Sequence, residues 1–280
     1  MRAICTDIDG TLLDSRRELS SKTIEVIQHL GGSIPVILAS SRMPAAMRHL
    51  QRSLGIIQYP LICYNGGYVI RYDTDERIEA LFTADIAWDT CNSILKLCAD
   101  TSVHVSLYHN DQWFAPKMDE WTVREGTITK VWPVQKSGEE VLALWGQAGH
   151  GAHKIMIMGD AAEIAYLENT LRTGFGDKVH IYHSKSTYLE IAPKTVSKAT
   201  ALQLVLSRYD LTMTEVMAFG DNYNDIEMLQ QAGLGIAVAN ARPEVKAVAD
   251  EITLDSKQDG VADAIYRYVL SNSAAPKPFK

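Results

Sequence analysis

Residues 7–14 read "DIDGTLLD" and follow the apolar, strand-like run "RAIC" (2–5). Two carboxylates, Asp7 and Asp9, stand two residues apart with Gly10 and Thr11 directly behind them. Three readings compete. Asp and Gly are ordinary turn residues. A calcium loop counted from Asp7 needs glycine at its sixth position, where Leu12 stands, although Glu18 falls at the twelfth. The third reading is an active site, because an open α/β sheet binds its ligands beyond the carboxyl ends of its strands. The choice turns on whether other strands bring complementary groups to the same edge.

Working outward, "SSKTIEVIQHL" (20–30) reads as a helix ended by Gly31-Gly32, and "IPVILAS" (34–40) as a strand. "PAAMRHLQRSL" (44–54) reads as a helix and "PLICYN" (60–65) as a third strand. This βαβαβ order predicts a parallel sheet with helices on both faces. The grammar returns late: helix 197–209, strand 215–220, helix 224–233 closed by Gly233, strand 234–240 and helix 259–270, before a tail from 271 expected to fray. The stretch 83–187 differs. It mixes helical segments with the hairpin-like "VHVSLYHN" and "DQWFAPK" and holds all five Trp. The fold class is therefore α/β: a Rossmann-like, doubly wound parallel sheet core (1–82 and 188–280) with an inserted α+β domain (83–187). Two linker crossings, near 80–85 and 184–189, predict a hinge.

The chain has 280 residues, 46% hydrophobic and 22% charged, with a net charge of −7. That balance speaks against a broad basic face for nucleic acid, and no apolar stretch is long enough to span a membrane. The start "MRAICTDIDG" does not read as a signal peptide. Cys5, Cys63, Cys91 and Cys98 form no C-x-x-C pair or zinc pattern, so buried thiols in a reducing cytoplasm are expected.

The other strand ends do supply complementary groups. "ILASSRMP" places Ser40, Ser41 and Arg42 after the second strand. "APKTVSKATAL" puts Lys198 in the first turn of a helix, where a cation opposes the dipole. "FGDNYND" ends a later strand with Asp221, Asn224 and Asp225. With these four pieces in this order, the sequence resembles the haloacid dehalogenase superfamily, in particular its Cof-type, sugar-phosphatase-like group with a type-IIB cap. "CYNGG" (63–67), "YLEIAPKTVSKATAL" (188–202) and "GIAVANARPEVKAVAD" (235–250) are further local matches. Ser41, Thr195 and Ala199 stand where the family usually has glycine.

The resemblance implies a phosphatase of small phosphorylated metabolites such as sugar phosphates. In it Asp7 is the nucleophile that forms an aspartyl-phosphate, and Asp9 the acid/base. Asp7, Asp9, Asp221 and Asp225 gather four negative charges around a phosphate, against one from Lys198. A hard divalent cation, Mg²⁺, is expected to balance them. Its ligands would be the Asp7 carboxylate, the Asp9 carbonyl and the Asp221 carboxylate, oriented by Asn224 and Asp225. Ser40, Ser41 and Lys198 would hold the phosphoryl group, and Arg42 and Asn65 are substrate-contact candidates. Two rivals stand: a phosphomutase, which keeps both Asp residues, and a non-catalytic phospho-ligand sensor. Cap candidates are Trp113, Phe114, Trp121, Arg124, Lys130, His150 and His153. Most of the Trp are expected in the cap's own core, and the two His at its surface.

Overall fold

The computed structural model describes residues 1–271; the tail expected to fray lies, from Asn272 onward, outside them. The N-terminal part forms β1 (Ala3–Thr6), α1 (Ser21–His29), β2 (Val36–Ala39), α2 (Ala45–Leu54) and β3 (Leu61–Cys63). A hairpin, β4 (Tyr68–Tyr72) and β5 (Ile78–Thr83), follows. β1 and β2 are buried at every position, as a parallel strand covered on both faces must be.

The middle of the chain builds α3 (Trp88–Cys98), β6 (His104–His109), β7 (Gln112–Ala115), α4 (Glu120–Thr129), β8 (Val134–Gln135) and α5 (Gly138–Ala148). It continues through β9 (Lys154–Met158), α6 (Ala161–Phe175), β10 (Val179–Lys185) and β11 (Tyr188–Pro193). The last part returns to the first sheet with α7 (Lys198–Ser207), β12 (Val216–Gly220), α8 (Ile226–Gln231), β13 (Leu234–Ala237) and β14 (Glu251–Ile252).

The first sheet has the order β14-β13-β12-β1-β2-β3-β4-β5 and is parallel except for the added hairpin. From β1 the chain steps one way to β2 and β3; from β12 it steps the other way to β13. Right-handed crossovers in opposite directions put their helices on opposite faces. Accordingly α1 packs on α2, and α7 on α8. The order reverses between the neighbours β1 and β12, and ligands of doubly wound sheets bind in the crevice at that reversal.

The second sheet has the order β10-β11-β9-β6-β7-β8. Its own core includes Ile94, Ile155, Ile157, Leu167, Leu189 and Ile191. The boundary expected between 187 and 188 is corrected here. β11 pairs with both β10 and β9, and Leu189 and Ile191 enter the second core, so this sheet continues to Pro193. The Gly233 cap is also corrected. α8 ends at Gln231 and its C-cap, Ala232, is in extended backbone, while a Cβ on Gly233 would lie 1.9 Å from the Thr214 carbonyl oxygen. Close backbone packing is thus the reason for that glycine.

Hydrogen bonds tie the two sheets together. His153 Nε2 meets Thr83 Oγ1 at 2.8 Å, and the Asn110 amide donates to His153 Nδ1 at 3.0 Å. Tyr64 donates its hydroxyl to the Asn110 carbonyl at 2.8 Å. His153 is therefore fully buried rather than at the surface, and burial drives its ring down to about 3, with His109 and His150 adding to the effect. All four Cys are free and buried. No helix among the described residues is long and apolar enough to cross a membrane.

Candidate active site

The site is assembled at the carboxyl ends of β1 and β12. The Asp7 amide donates to the Phe219 carbonyl at 3.0 Å, which fixes Asp7 at the seam between the two strands. The chain then turns through Gly10 at φ +87°, where a Cβ would sit 2.5 Å from Asp221 Oδ2. Glycine is needed twice there, for the left-handed backbone and for the close approach. Thr11 donates its hydroxyl to Asp221 Oδ1 at 3.1 Å.

Lys198 opens α7, behind a capping box between Ser197 and Thr200. It is fully buried and donates to Asp7 Oδ1 at 2.6 Å and to Asp225 Oδ1 at 2.7 Å. Asp225 Oδ2 accepts the Asp221 and Asn222 amides, both at 3.0 Å. Asp225 thus braces the lysine and the loop after β12 together. The unfavourable helix-terminal cation is explained by these two carboxylates.

The electrostatics follow from burial. Burial pushes the Asp7 carboxyl well up; Lys198 opposes this, while Asp225 and Asp221 add to it. Burial and then Asp225 carry Asp221 up to about 7. For Lys198 burial works the other way, but the charges of Asp225 and Asp7 win and raise its pKa.

Asp9 behaves differently. Arg42 grips it in a two-pronged ion pair at 2.7 and 2.8 Å, and Arg17 adds a third contact at 3.1 Å. Burial pushes the Asp9 carboxyl up, yet the Arg42 bonds and charge, with Arg17, outweigh it and hold it below the usual range. Arg42 also donates to the Ala46 carbonyl at 3.2 Å. In this structure Arg42 is thus a clamp on Asp9.

A cleft of about 930 Å³ runs between the two sheets and is lined by Asp7, Asp9, Ser40, Ser41, Asn65 and Asp221, among others. Ser40 Oγ accepts the Arg42 amide at 3.2 Å. Asn65, in left-handed backbone at φ 57°, accepts from Asn224 Nδ2 at 2.9 Å. The Ser41 carbonyl accepts from Lys154 Nζ on β9 at 3.1 Å. The residues predicted at strand ends are therefore brought to one place, with Lys198 and Asp225 directly beneath the cleft floor.

Among the residues named as cap candidates, only Trp113 lines the cleft. Phe114 belongs to the second sheet's core, Trp121 packs edge-on against Tyr188, and Lys130 is exposed. The residues that do face the cleft from the second sheet and its helix α4 include Tyr108, Glu125, Lys154, Lys185, Tyr188 and Glu190. They lie on strands and a helix with no motif around them.

The residues present fit a hard cation. Carboxylate oxygens of Asp7, Asp221 and Asp225 lie within 4.8 Å of one another. Asp7 Oδ2 is buried and has no hydrogen-bond partner among the described residues, and such an oxygen is costly unless something binds it. Both Asp225 oxygens are already engaged. Asp7 and Asp221 are consequently the available side-chain ligands.

The lysine-braced acidic cleft thus lies at the switch point of a doubly wound α/β core, where such sheets bind their ligands. The haloacid dehalogenase-like hydrolase family model matches residues 4–265, and the chain belongs to that family. It is 27% identical over 273 residues to an HMP-PP phosphatase of Yersinia pestis, an alignment spanning 96% of this chain and 96% of that protein. A haloacid dehalogenase-like hydrolase from Bacteroides thetaiotaomicron superposes with a TM-score of 0.84 at 27% identity, covering 95% of this chain and 98% of that one. A subclass IIB sugar phosphatase, 20% identical, superposes with a TM-score of 0.82 over 96% of this chain and 99% of its own, and so shares the fold. The chain is an enzyme of the phosphatase kind.

Proposed function

We propose that the protein is a Mg²⁺-dependent phosphatase that hydrolyses small phosphorylated metabolites through an aspartyl-phosphate on Asp7, with the second sheet and its helices acting as a cap. One observation carries this reading. Asp7 sits at the switch point with one oxygen held by Lys198 and the other buried without a hydrogen-bond partner among the described residues. The cleft's volume suits a small ligand, and the Yersinia pestis relative is named for such a substrate.

In this account the Asp7 carboxylate attacks phosphorus; the Asp7 O–P bond forms as the bond to the leaving oxygen breaks. Lys198 keeps Asp7 aimed, and Ser40 and Ser41 line the place of the phosphoryl oxygens. Asp9 protonates the leaving oxygen, then takes a proton from the water that attacks phosphorus and frees Asp7. The Arg42 clamp suits the second half, because it keeps Asp9 ionised. The first half requires the substrate's anionic group to draw Arg42 or Arg17 away from Asp9. Asp7, the Asp9 carbonyl and Asp221 would hold the cation, which when bound supplies positive charge against the carboxylates and the phosphoryl oxygens.

The test is phosphate release from a panel of phosphorylated metabolites. Release is expected with Mg²⁺, to stop with EDTA and to return when Mg²⁺ is added back. A rate that resists the chelator contradicts the metal's part. Isomerised product without free phosphate would make the enzyme a mutase, and tight binding without turnover would make it a sensor.

A further inference from the structure

The cleft has a second polar focus, on the side opposite Asp7. Glu125, on α4, lines the cleft, and its carboxylate has no hydrogen bond or ion pair among the described residues. Burial pushes its carboxyl up, opposed by Lys154 and reinforced by Glu190. Lys154, only 4% exposed, spends one donor on the Ser41 carbonyl and lies 4.3 Å over the Tyr108 ring. Tyr188 is 3% exposed and lines the same cleft, yet its hydroxyl is buried without a partner among the described residues. Its ring is fixed by the Trp121 edge at 5.8 Å and by Lys185 at 4.9 Å, so the hydroxyl is not free to swing elsewhere.

The enclosed phenol is costly without a partner among the described residues, and the half-buried Glu125 carboxylate faces the cleft with its acceptor positions open. An ionised carboxylate only accepts hydrogen bonds, whereas a lysine only donates them. A ligand that satisfies both has to bring donors to Glu125 and acceptors to Lys154.

We propose that Glu125, with Tyr188 beside it, determines specificity by accepting hydrogen bonds from hydroxyl or amino groups on the leaving group of the substrate. This rests on the phosphatase reading above and adds what the leaving group must carry. The phosphoryl group is held at Asp7 while the rest of the molecule is read from the other sheet, by residues that take no part in bond breaking. A pocket built to pair with a substrate's donors discriminates strongly against an analogue that lacks them.

The experiment compares kcat/KM for glucose 6-phosphate and O-phosphoethanolamine, which carry donors, with that for phenyl phosphate, which carries none. In the wild type at least one donor-bearing compound is expected to be preferred. Loss on the sugar phosphate identifies hydroxyls as the donors, and loss on phosphoethanolamine identifies the amine. Glu125→Ala is expected to lower the preference roughly 10–100-fold, mainly through KM, with Glu125→Gln in between. Tyr188→Phe is expected to lower it severalfold and decides the matter if Glu125→Ala fails to fold by circular dichroism. A preference that stays within twofold in the folded variants overturns the proposal, as does a wild type that favours phenyl phosphate. If the wild type releases phosphate from none of the three, nor from the wider panel, the phosphatase reading fails and this inference with it.

Discussion

Asp7→Asn is expected to abolish phosphate release, by about 10⁴-fold or more, while the fold survives. Asparagine keeps the shape and, through its amide oxygen, the acceptor for Lys198, but cannot form the acyl phosphate. The position tolerates the neutral side chain. Asp7 is 5% exposed, and its burial already disfavours the charge. Lys198 loses one carboxylate but keeps Asp225. Phosphate release and a melting curve on the same preparation check this. A folded variant within tenfold of the wild-type rate contradicts the role given to Asp7.

Lys198→Met is the second large effect, and it falls on stability as well as on activity. Methionine fills a similar volume, so no cavity confuses the result. What it removes is the cation between two buried carboxylates, Asp7 and Asp225. Breaking a buried pair by deleting one partner costs about 3–5 kcal/mol. The loop after β12 should loosen too, because Asp225 holds the Asp221 and Asn222 amides with its other oxygen. Urea unfolding measures the loss; a cost below about 1 kcal/mol would show that the lysine is not the keystone of this cluster.

Much of this site was legible in the sequence because its chemistry sits on short strand-to-helix turns. "DIDGT", Ser40, Lys198 and "GDNYND" each follow or precede a readable element, and the βαβ grammar places strand ends on one edge. Other features depend on contacts that no local pattern carries. Asp9 and Arg42 are 33 residues apart, and nothing in "SSRMP" says that the guanidinium turns back on Asp9. The β4–β5 hairpin carries no alternating signal, because β4 is buried at its first three positions and β5 is exposed or half-buried throughout. Residue 188 looked like the start of the core because the familiar run "YLEIAPKTVSKATAL" continues into α7, yet pairing with β9 and β10 claims its first six residues for the second sheet.

The cleft's second wall was the least legible part. Of its aromatic candidates, Trp113 lines the cleft, whereas Phe114 packs in the second core and Trp121 against Tyr188. The residues that face the ligand space, Glu125, Lys154 and Tyr188, are ordinary ones whose direction is set by helix and strand phase.

The central claim is that phosphorus passes through Asp7 on its way to water. Each in-line displacement inverts phosphorus, so two in succession restore its configuration. The most direct measurement is therefore the stereochemical course, followed by hydrolysing a phosphorothioate ester made chiral with two oxygen isotopes in water of the third, or by transferring a phosphate ester made chiral with oxygen isotopes to an acceptor alcohol. Retention of configuration is the predicted result. Inversion would mean that water attacks the substrate in a single step, and Asp7 would not be the nucleophile.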